Sequence, residues 1–519
     1  MDASQLQSNS KSTGSVTIKY LDETNLVVKT FLGKATSSAS SSNQNLNEAI
    51  SESETKSIIK LNKTLDTFKN KFKNIVNSEI STNSNTLIVS KPSSIYAEYI
   101  KLYYFAYPYL KNNEFIQRTK LPSNDPNYLK LNEFNYAKNV SPLIISPNYN
   151  VLYFPAVLDL TYLHKTNKSV KLQLPPNLKN IKKYYVLEFI DLFTTNFFYI
   201  SSKTNTSFIT EWEIVAPDYK GELKENMVKA NSWYILILGR IEVDFRIKND
   251  LERTIQLENQ FKLIAKKVDP QNIQLPDTSK LPINDYSLNI TKYYNGFVKI
   301  LQWQTYFTPQ DQSNLDFFKT LGIYQNKDPF NQKPKPFIPT NKLILYKEGS
   351  LLGQNGILLA LSSDKTIGNN WGTSANAIGI QGPLRYFYYT FVAWQYTYGN
   401  NKDQALYYSC YLDSDNKTLN GKNNYTMDVN IVPPVNSPGF WSITAYNLEG
   451  YVEEDGQKYY TVGQNIRKPC IITLSSQPSP DPESNIYLQV PKGPFYLLLR
   501  MYSPISNNTD YIPNYVVKT

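Results

Sequence analysis

The sequence predicts a mainly β protein: two tandem jelly-roll or β-sandwich domains, with a few helices between them and an N-terminal extension. A chain of 519 residues is too long for one hydrophobic core and should divide into domains. Its 41 Tyr and 24 Phe, against 20 Gly and 4 Met, favour strand-rich layers. Short apolar runs separated by polar turns recur in both halves, as is typical of sandwiches.

Residues 1–93 are predicted to form the N-terminal extension, which is rich in Ser and Asn. Two apolar runs at residues 16–20 and 26–31 flank a polar turn, which predicts a hairpin. Apolar residues at alternating spacings of three and four over residues 51–77 predict an amphipathic helix. This helix either packs on the next domain or self-associates through a short coiled coil.

Residues 94–268 are predicted to form the first β-sandwich domain, framed by a strand at residues 151–160. One face of this strand is wholly apolar, so that face should lie on a core. Pro155 has no backbone N–H, which predicts an edge strand or a bulge. An aromatic segment before the strand favours a helix, and further strands are predicted after it. These segments are residues 96–109 for the helix and 184–191, 197–201, 209–215 and 233–243 for the strands.

Residues 269–383 are predicted to be a linker and helical connection, and residues 384–519 the second β-sandwich domain. Three prolines among polar residues mark the linker, and helices are expected at residues 291–303 and 313–321. The aromatic segment 384–396 fits a helix or a strand. Later strands are expected at residues 406–412, 425–432, 440–446, 471–474, 485–490 and 495–502, with a hairpin that turns on Asp455-Gly456.

A weak internal sequence similarity, which we call the internal echo, links the two predicted domains. Residues 233–241 and 495–502 are both apolar on two faces and carry an arginine near the end, Arg240 and Arg500. A strand that is apolar on both faces should lie between two layers, and a buried arginine needs a carboxylate or carbonyl partner. We infer two related β domains, each with one such strand.

Charge and composition exclude several classes of protein. The net charge is +10, but the lysines are scattered and form no phosphate-tracking stripe, so nucleic acid is not an expected partner. Two cysteines, Cys410 and Cys470, suggest neither a disulfide framework nor a metal site. No apolar run approaches the ~20 residues of a membrane span, and the first residues have no hydrophobic signal region. We expect a chain made in the cytoplasm, without a cofactor.

Catalytic chemistry, if present, should use carboxylates. The lone histidine, His164, lies in a polar loop and is expected to be solvated, and no Gly-x-Ser-x-Gly elbow occurs. Glu188 and Asp191 point to opposite faces of a regular strand, whereas Asp159 and Glu188 can share a face from neighbouring strands. The alternative, which we favour, is that Asp159 and Asp191 pair with Arg240 or cap strand ends.

Two further patterns have a functional and a structural interpretation. The segment that begins at Asp413 resembles the start of a calcium loop, but Lys417 replaces an oxygen ligand, so a turn is expected. Clustered tyrosines could form sugar-stacking platforms, although at this density core or interface positions are more common. The tyrosines are Tyr103, Tyr104, Tyr386, Tyr388 and Tyr389.

Motifs in both halves resemble the bacterial and giant-virus proteins that join two domains of unknown function, numbered twelve-fifty-four and twelve-fourteen. The matching residues of the first domain are Pro147, Asn148, Leu152, Tyr153, Leu158, Asp159, Leu160, Asp191, Thr194, Asn196, Gly239, Arg240 and Ile241. Those of the second are Phe440, Trp441, Ser442, Thr444, Tyr446, Asn485, Tyr487, Leu488, Pro491, Arg500, Tyr502 and Pro504. The sequence departs from the family at Asn150-Val151, where relatives have Asp-Thr, and at Tyr487, where they have Trp. The first ninety or so residues have no counterpart.

The resemblance implies tandem jelly-roll domains that form homo-oligomers and have no settled reaction. We therefore expect a non-enzymatic structural or binding protein, in its most concrete form a component of a giant-virus particle, with other particle proteins or glycans as partners. The alternative is a carbohydrate-active hydrolase or lyase that uses Asp159, Glu188 or Asp191. Binding is assigned to three motif aromatics and the two arginines: Tyr153, Trp441, Tyr446, Arg240 and Arg500.

Overall fold

The computed structural model of the chain describes twelve segments of the sequence. They are residues 91–136, 146–278, 289–326, 328–331, 342–361, 366–372, 385–395, 398–448, 450–452, 460–481, 484–505 and 511–519. The predicted hairpin at residues 16–31, the amphipathic helix at residues 51–77 and the Asp455-Gly456 turn lie outside these segments.

The described residues form six α-helices and 18 strands. The helices are α1 Lys91–Gln117, α2 Asp250–Glu258, α3 Ile290–Leu301, α4 Pro309–Leu321, α5 Leu343–Leu361 and α6 Arg385–Gln395. The first eight strands are β1 Val151–Asp159, β2 Ser169–Gln173, β3 Tyr185–Ile190, β4 Asn196–Ser201, β5 Glu211–Val215, β6 Met227–Lys229, β7 Tyr234–Glu242 and β8 Lys262–Ile264. The remaining ten are β9 Thr366–Gly368, β10 Trp371–Gly372, β11 Ala405–Cys410, β12 Tyr425–Val429, β13 Trp441–Asn447, β14 Thr461–Val462, β15 Cys470–Ser475, β16 Tyr487–Gln489, β17 Phe495–Tyr502 and β18 Val516–Lys518.

Strands β1–β8 and β11–β18 form two repeats of one topology. In the first repeat the larger sheet has the order β1-β7-β3-β4 and the smaller sheet the order β6-β5-β2-β8. The second repeat has the orders β14-β13-β17-β11 and β16-β15-β12-β18, with β10 and β9 added beyond β11. Each strand of the first repeat therefore has its counterpart ten strands later. This duplication confirms the mainly β fold with two related domains.

Each repeat is a sandwich of its two sheets. Trp212 of β5 meets Phe198 of β4 at a ring distance of 5.8 Å in the first repeat, and Tyr425 of β12 meets Phe495 of β17 at 6.0 Å in the second. Both smaller sheets contain one parallel pair, β5 with β6 and β15 with β16. The jelly-roll topology that the sequence suggested is therefore not confirmed.

The two larger sheets face each other across the boundary between the repeats. Tyr184, next to β3, packs against Tyr502 of β17 at 5.1 Å and against Phe440 at 5.9 Å. All residues of β17, and all but the last of β7, are buried. The inference from the internal echo is confirmed, because each of these strands has its own sandwich on one face and the other repeat on the opposite face.

Strand β1 differs in one respect from its prediction. It lies at the edge of its sheet, as Pro155 indicated, but all nine of its residues are buried, and not those of one face alone. A neighbouring segment covers the free edge, where the N–H of Asn132 donates to the Val157 carbonyl at 2.8 Å and that of Asn135 donates to the Pro155 carbonyl at 2.8 Å. The second face of β1 is directed toward the second repeat.

Helix α1 is the central element of the helical layer. Tyr99 meets Tyr346 of α5 at a ring distance of 4.8 Å, and Tyr103 stacks on Tyr293 of α3 at 5.5 Å. The expected helices near residues 96–109, 291–303 and 313–321 are present, and the ambiguous segment 384–396 is helical as α6. Helices α2 and α5 were not predicted.

Two glycines allow α5 to pack closely on α1. A Cβ atom at Gly349 would lie 2.3 Å from the Tyr99 Cβ, and one at Gly353 would lie 2.5 Å from the Tyr103 Cδ1. Both distances are shorter than a van der Waals contact, so any side chain here would push the helices apart. The glycines that make α5 a weak helix by propensity therefore set its packing distance.

We predict that Gly349→Ala lowers the thermal unfolding midpoint. The gain in helix propensity of about 1 kcal/mol is offset by an overpacking cost of about 1–3 kcal/mol, and the atoms nearest Gly349 belong to Tyr99 close to its backbone. Gly493→Ala is the control, because no heavy atom lies within 4 Å of a Cβ placed there. A Gly349→Ala midpoint equal to or above that of the wild type would contradict the close contact between α1 and α5.

Candidate functional site

Two buried arginines link the repeats in a reciprocal way. Arg240 lies on β7 and Arg500 on β17, with 3% and 4% of their surfaces exposed. The Arg240 Nη2 donates to the Tyr398 carbonyl at 2.5 Å, in the loop that precedes β11 of the second repeat. The Arg500 Nη2 donates to the Ser146 carbonyl, in the loop that precedes β1 of the first repeat. Each guanidinium thus takes one of its acceptors from the repeat to which it does not belong.

The two acceptor loops share a backbone conformation. Ser146 and Tyr398 have left-handed φ values of 52° and 65°. Non-glycine residues rarely adopt this region, so the surrounding contacts must hold the loops in place. The shared conformation turns the two carbonyl groups toward the arginines of the opposite repeat.

An asparagine follows each acceptor by two residues and binds a tyrosine of its own repeat. The N–H of Asn148 donates to the Tyr153 hydroxyl at 2.9 Å, and that of Asn400 donates to the Tyr407 hydroxyl at 3.0 Å. In the strand ladders Tyr153 lies opposite Arg240, and Tyr407 lies opposite Arg500. The same arrangement of loop, tyrosine and arginine therefore occurs twice.

Further hydrogen bonds beside the two acceptor loops also connect each repeat to the other. Asn150, just before β1, contacts Thr461 at 2.5 Å and Gln464 at 2.9 Å in the second repeat. Gln404, just before β11, contacts Ser201 of β4 in the first repeat at 3.1 Å. The boundary between the repeats is thus lined with buried polar contacts, whose loss would leave unsatisfied groups on both sides.

We name the buried polar group between the larger sheets the arginine–tyrosine centre. Its members are Tyr153, Tyr184, Arg240, Tyr407, Tyr446, Arg500 and Tyr502. The Arg240 guanidinium lies 5.5 Å from the Tyr153 ring and that of Arg500 lies 5.6 Å from the Tyr446 ring, distances typical of cation–π contacts. Burial raises the pKa of Tyr446 and of Tyr502, so both phenols stay protonated at neutral pH.

Arg240 has a carboxylate partner within the centre. Its Nη1 lies 2.6 Å from the Glu188 Oε2, and the Tyr199 hydroxyl donates to the Glu188 Oε1 at 3.3 Å. Glu188 is fully buried. Burial raises the pKa of the Glu188 carboxyl, and the adjacent guanidinium opposes this shift. Of the two structural roles expected for Asp159 and Asp191, pairing with Arg240 is therefore not the one observed, because Glu188 contacts Arg240 from the neighbouring strand β3.

Asp159 and Asp191 act as caps, as the alternative interpretation predicted. The Asp159 Oδ1 accepts the N–H of Thr161 at 2.9 Å and its hydroxyl at 2.6 Å. The Asp191 Oδ1 accepts the N–H groups of Phe193 and Thr195 at 2.9 Å each. With Glu188 bound to Arg240, the three candidate carboxylates share no hydrogen-bond partner.

Asp191 is a buried carboxyl group whose pKa is raised in the folded protein. Its Oδ2 accepts the side-chain amide of Gln304 at 2.9 Å, and only 1% of the residue is exposed. Burial raises the pKa of Asp191 from 3.8 to about 6, although the hydrogen bonds from Thr195 and Gln304 work against this change. The folded protein therefore holds this proton over a pH range in which the unfolded chain has lost it.

The structure brings four of the five proposed binding residues together. Tyr153, Arg240, Tyr446 and Arg500 lie in the arginine–tyrosine centre. Trp441 does not, because it lies on the opposite face of β13, where its Nε1 donates to the Ile466 carbonyl at 3.3 Å. A Cβ atom at Gly463 would lie 2.5 Å from the indole ring, so Trp441 fills the interior of the second sandwich.

Other predicted features have structural roles. His164 is not freely solvated: its ring stacks on Phe330 at 3.8 Å and its Nδ1 lies 2.8 Å from the Asp218 Oδ2. The Asp413 carboxylate accepts the N–H of Lys417 at 2.9 Å, which closes a turn. Of the two roles considered for the clustered tyrosines, the core position is the one observed, because aromatic packing buries four of them and leaves the fifth half-buried. The four buried ones are Tyr103, Tyr104, Tyr386 and Tyr389, and Tyr388 is half-buried.

Within the described segments no helix has both the length and the apolar character that crossing a bilayer requires. The same segments hold no group of three or more His, Cys, Asp or Glu side chains placed to bind a metal ion.

Sequence reasoning missed the second loop of the centre. Tyr398, Asn400 and Tyr407 match Ser146, Asn148 and Tyr153, but the spacing from asparagine to tyrosine is seven residues in one repeat and five in the other. Because of this difference of two residues, the similarity between the two loops does not show when the sequences of the repeats are aligned without a gap. A search that used the arginine strands as anchors could have found it.

We predict that Asp191→Asn removes a pH-dependent loss of stability. Because the pKa of Asp191 rises from 3.8 to about 6 on folding, the folded state binds more protons between these values, and stability falls as pH rises through them. The penalty is absent below about pH 4 and complete above about pH 6, where it amounts to on the order of 2–3 kcal/mol. An asparagine at this position can still accept the two N–H groups, and it can donate to the Gln304 Oε1 once the Gln304 amide turns over, since the Nε2 is the atom that now faces Asp191.

The measurement is the thermal midpoint of the variant and the wild type from pH 4 to pH 7. We expect the difference to grow in favour of Asp191→Asn as pH rises. Asp316→Asn is the control, because the Asp316 side chain is 57% exposed on α4. A difference that is constant with pH would contradict the raised pKa of Asp191.

Comparisons with known proteins agree with the duplicated fold. The family "Protein of unknown function (DUF1254)" matches residues 130–265, and "Protein of unknown function (DUF1214)" matches residues 404–506. These ranges include all of the first repeat and most of the second. No curated protein matches the sequence.

Two solved structures are similar to the chain. The VPA0106 protein from Vibrio parahaemolyticus is 19% identical with a TM-score of 0.60, over 82% of this chain and 100% of that one. An uncharacterized protein from Burkholderia cenocepacia is 11% identical over 88% of this chain and 96% of that one, with a TM-score of 0.38. The first likeness shows the fold alone. The two matched domains occur in the order DUF1254 and then DUF1214, as the sequence motifs indicated.

Proposed function

We propose that this chain is a non-enzymatic structural or binding protein, in which the two repeats are fixed to each other as one platform. The observation that carries this proposal is the state of the candidate catalytic carboxylates. Asp159, Glu188 and Asp191 are each at most 1% exposed, and each is engaged in its own intramolecular contacts. Their polar atoms are used to hold the fold.

Glycoside cleavage needs a different arrangement. Two carboxyl groups must flank one bond, and substrate and water must reach both. Here Glu188 faces Arg240 between the repeats, whereas Asp191 binds Gln304 beside the helical layer. The raised pKa values of these acids follow from burial, which also occurs in structural networks. The geometry favours the structural role over the carbohydrate-active alternative.

A second copy of this chain is the partner that we propose. The smaller sheet of the second repeat exposes Ile471 and Val517, which are 56% and 44% exposed and lie on the two strands that flank β12. The corresponding sheet of the first repeat presents the paired charges of Lys171 and Glu213. Exposed apolar sheet surface is typical of contacts between proteins. Sedimentation equilibrium tests this proposal, and a monomer at every concentration would contradict it.

Particle association is the most concrete form of the proposal. It rests on the family resemblance and on the composition of the sequence, which are associational arguments. Glycans and other particle proteins are further proposed partners. Immunoblotting of purified virus particles from the source tests this proposal, and the absence of the chain from them would contradict it.

The structural proposal and the enzymatic alternative predict different results in a polysaccharide cleavage assay. We expect no release of reducing ends from a panel of polysaccharides by the wild type, because no pair of candidate carboxylates is open to a substrate. Asp159→Ala is measured beside it, with circular dichroism to show that the variant is folded. Turnover by the wild type that disappears in folded Asp159→Ala would overturn the structural proposal.

A further inference from the structure

One end of the helical layer exposes a group of large apolar side chains. Ile344, in the first turn of α5, is 73% exposed, more than any other large apolar side chain in the described segments, and Leu343 beside it is 39% exposed. Phe317 of α4 is 38% exposed, and Tyr324, just beyond α4, is 57% exposed. We call these four residues the helical-end patch. Exposed apolar groups of this kind are typical of surfaces that another segment or partner covers.

Hydrogen bonds hold the two parts of the helical-end patch side by side. The Lys342 Nζ, at the start of α5, donates to the Thr320 carbonyl at 3.1 Å, and the Tyr346 hydroxyl donates to the Leu321 carbonyl at 2.8 Å. Phe317 lies one turn before, where its carbonyl accepts the Thr320 hydroxyl at 2.7 Å. The first turn of α5 therefore lies next to the last turn of α4, and the exposed side chains are gathered at one end of the layer.

The N-terminal extension enters the described part of the chain at this same end. Helix α1 begins at Lys91. Its Tyr99 packs on Gly349 of α5, and its Tyr103, four residues later, packs on Gly353, also four residues later. The two helices therefore run in the same direction, and their first turns lie beside each other. The residues that precede Lys91 thus leave the helical layer close to the helical-end patch.

The extension contains a segment with an apolar stripe of its own. Residues 51–77 carry large apolar residues at helical spacing, and residues 78–90, which join this segment to α1, number only 13. The apolar residues are Ile58, Leu61, Leu65, Phe68, Phe72 and Ile75. A connection of this length spans at most about 45 Å, and such a tether gives an effective concentration of about millimolar. An amphipathic helix is stable in water mainly when its apolar stripe is packed.

We propose that residues 51–77 form a helix whose apolar stripe packs on the helical-end patch of the same chain. The short connection to Lys91 favours the same chain over a second copy. The inference selects between the two roles that the sequence left open for this segment, docking on a neighbouring domain and self-association. With the stripe packed in this way, the smaller sheet of the second repeat remains the surface for a second copy. The docking is independent of whether the protein is an enzyme.

Cross-linking of the full chain tests where the segment lies. Lys69→Cys and Lys347→Cys place thiols beside the stripe and beside the patch and leave the apolar residues intact. Cys470 is first replaced by Ser, since it is only partly buried, whereas Cys410 is buried. We expect a short bismaleimide to join the two thiols within one chain, as a monomeric product whose linked peptides mass spectrometry identifies.

The control pairs Lys69→Cys with Thr473→Cys, an exposed position on the smaller sheet of the second repeat. This pair should give no link within the chain. The proposal is overturned by a link to position 473 in place of position 347, by dimers linked between chains, or by no link at all.

A substitution in the helical-end patch tests the contact itself. Ile344→Asp should leave the fold intact, because the side chain is 73% exposed. We expect trypsin to cut the lysines of residues 51–77 about tenfold faster in this variant, the effect of one lost apolar contact, since cleavage follows the undocked population. Ile471→Asp makes the same change at an exposed position of the second repeat and should match the wild type. Equal cleavage of Ile344→Asp and the wild type, or equal acceleration in both variants, would refute the docking.

Discussion

The structure depends on two buried guanidinium groups, one in each repeat, that each take one acceptor from the opposite repeat. Arg240 and Arg500 keep their charge at neutral pH, so each must find acceptors once it leaves water. The acceptors are carbonyl groups of Tyr398 and Ser146, which lie at the entrance to the first strand of the opposite repeat. Neither larger sheet could present its inner face to solvent without exposing apolar residues, and without the other repeat each buried guanidinium would lose one of its acceptors.

This reciprocity explains why the repeats have so many features in common. The arginine must lie on a central strand, a tyrosine must face it from the first strand, and a left-handed loop must aim a carbonyl across the boundary. These requirements are met at Tyr153 and Ser146 in one repeat and at Tyr407 and Tyr398 in the other. The pairing of Arg240 with Glu188 has no equivalent in the second repeat, where Tyr446 takes the Nη1 of Arg500 instead. The repeats are therefore alike in scaffold and different in charge.

Much of the fold could be predicted from local patterns, because strand alternation, turn residues and Pro155 act over a few positions. The two strands that are apolar on both faces correctly indicated layers on either side. Helix α5 was not predicted because Gly349 and Gly353 lower its helix propensity. The reason for these glycines is their close packing on Tyr99 and Tyr103 of α1, which only the tertiary structure shows. At the site, the sequence predicts that a buried arginine needs a carboxylate or carbonyl partner, but it groups Glu188 with the candidates of the enzymatic alternative. The pairing of β3 with β7 brings Glu188 next to Arg240.

The central claim is that the repeats form one cooperative unit, because each completes the other's buried arginine. Hydrogen exchange followed by mass spectrometry tests this claim most directly, with peptides that cover β7 in the first repeat and β17 in the second. The account predicts equal opening free energies for the two strands, since the arginine–tyrosine centre cannot form in one repeat alone. Exchange of one strand through an opening that leaves the other protected would contradict it.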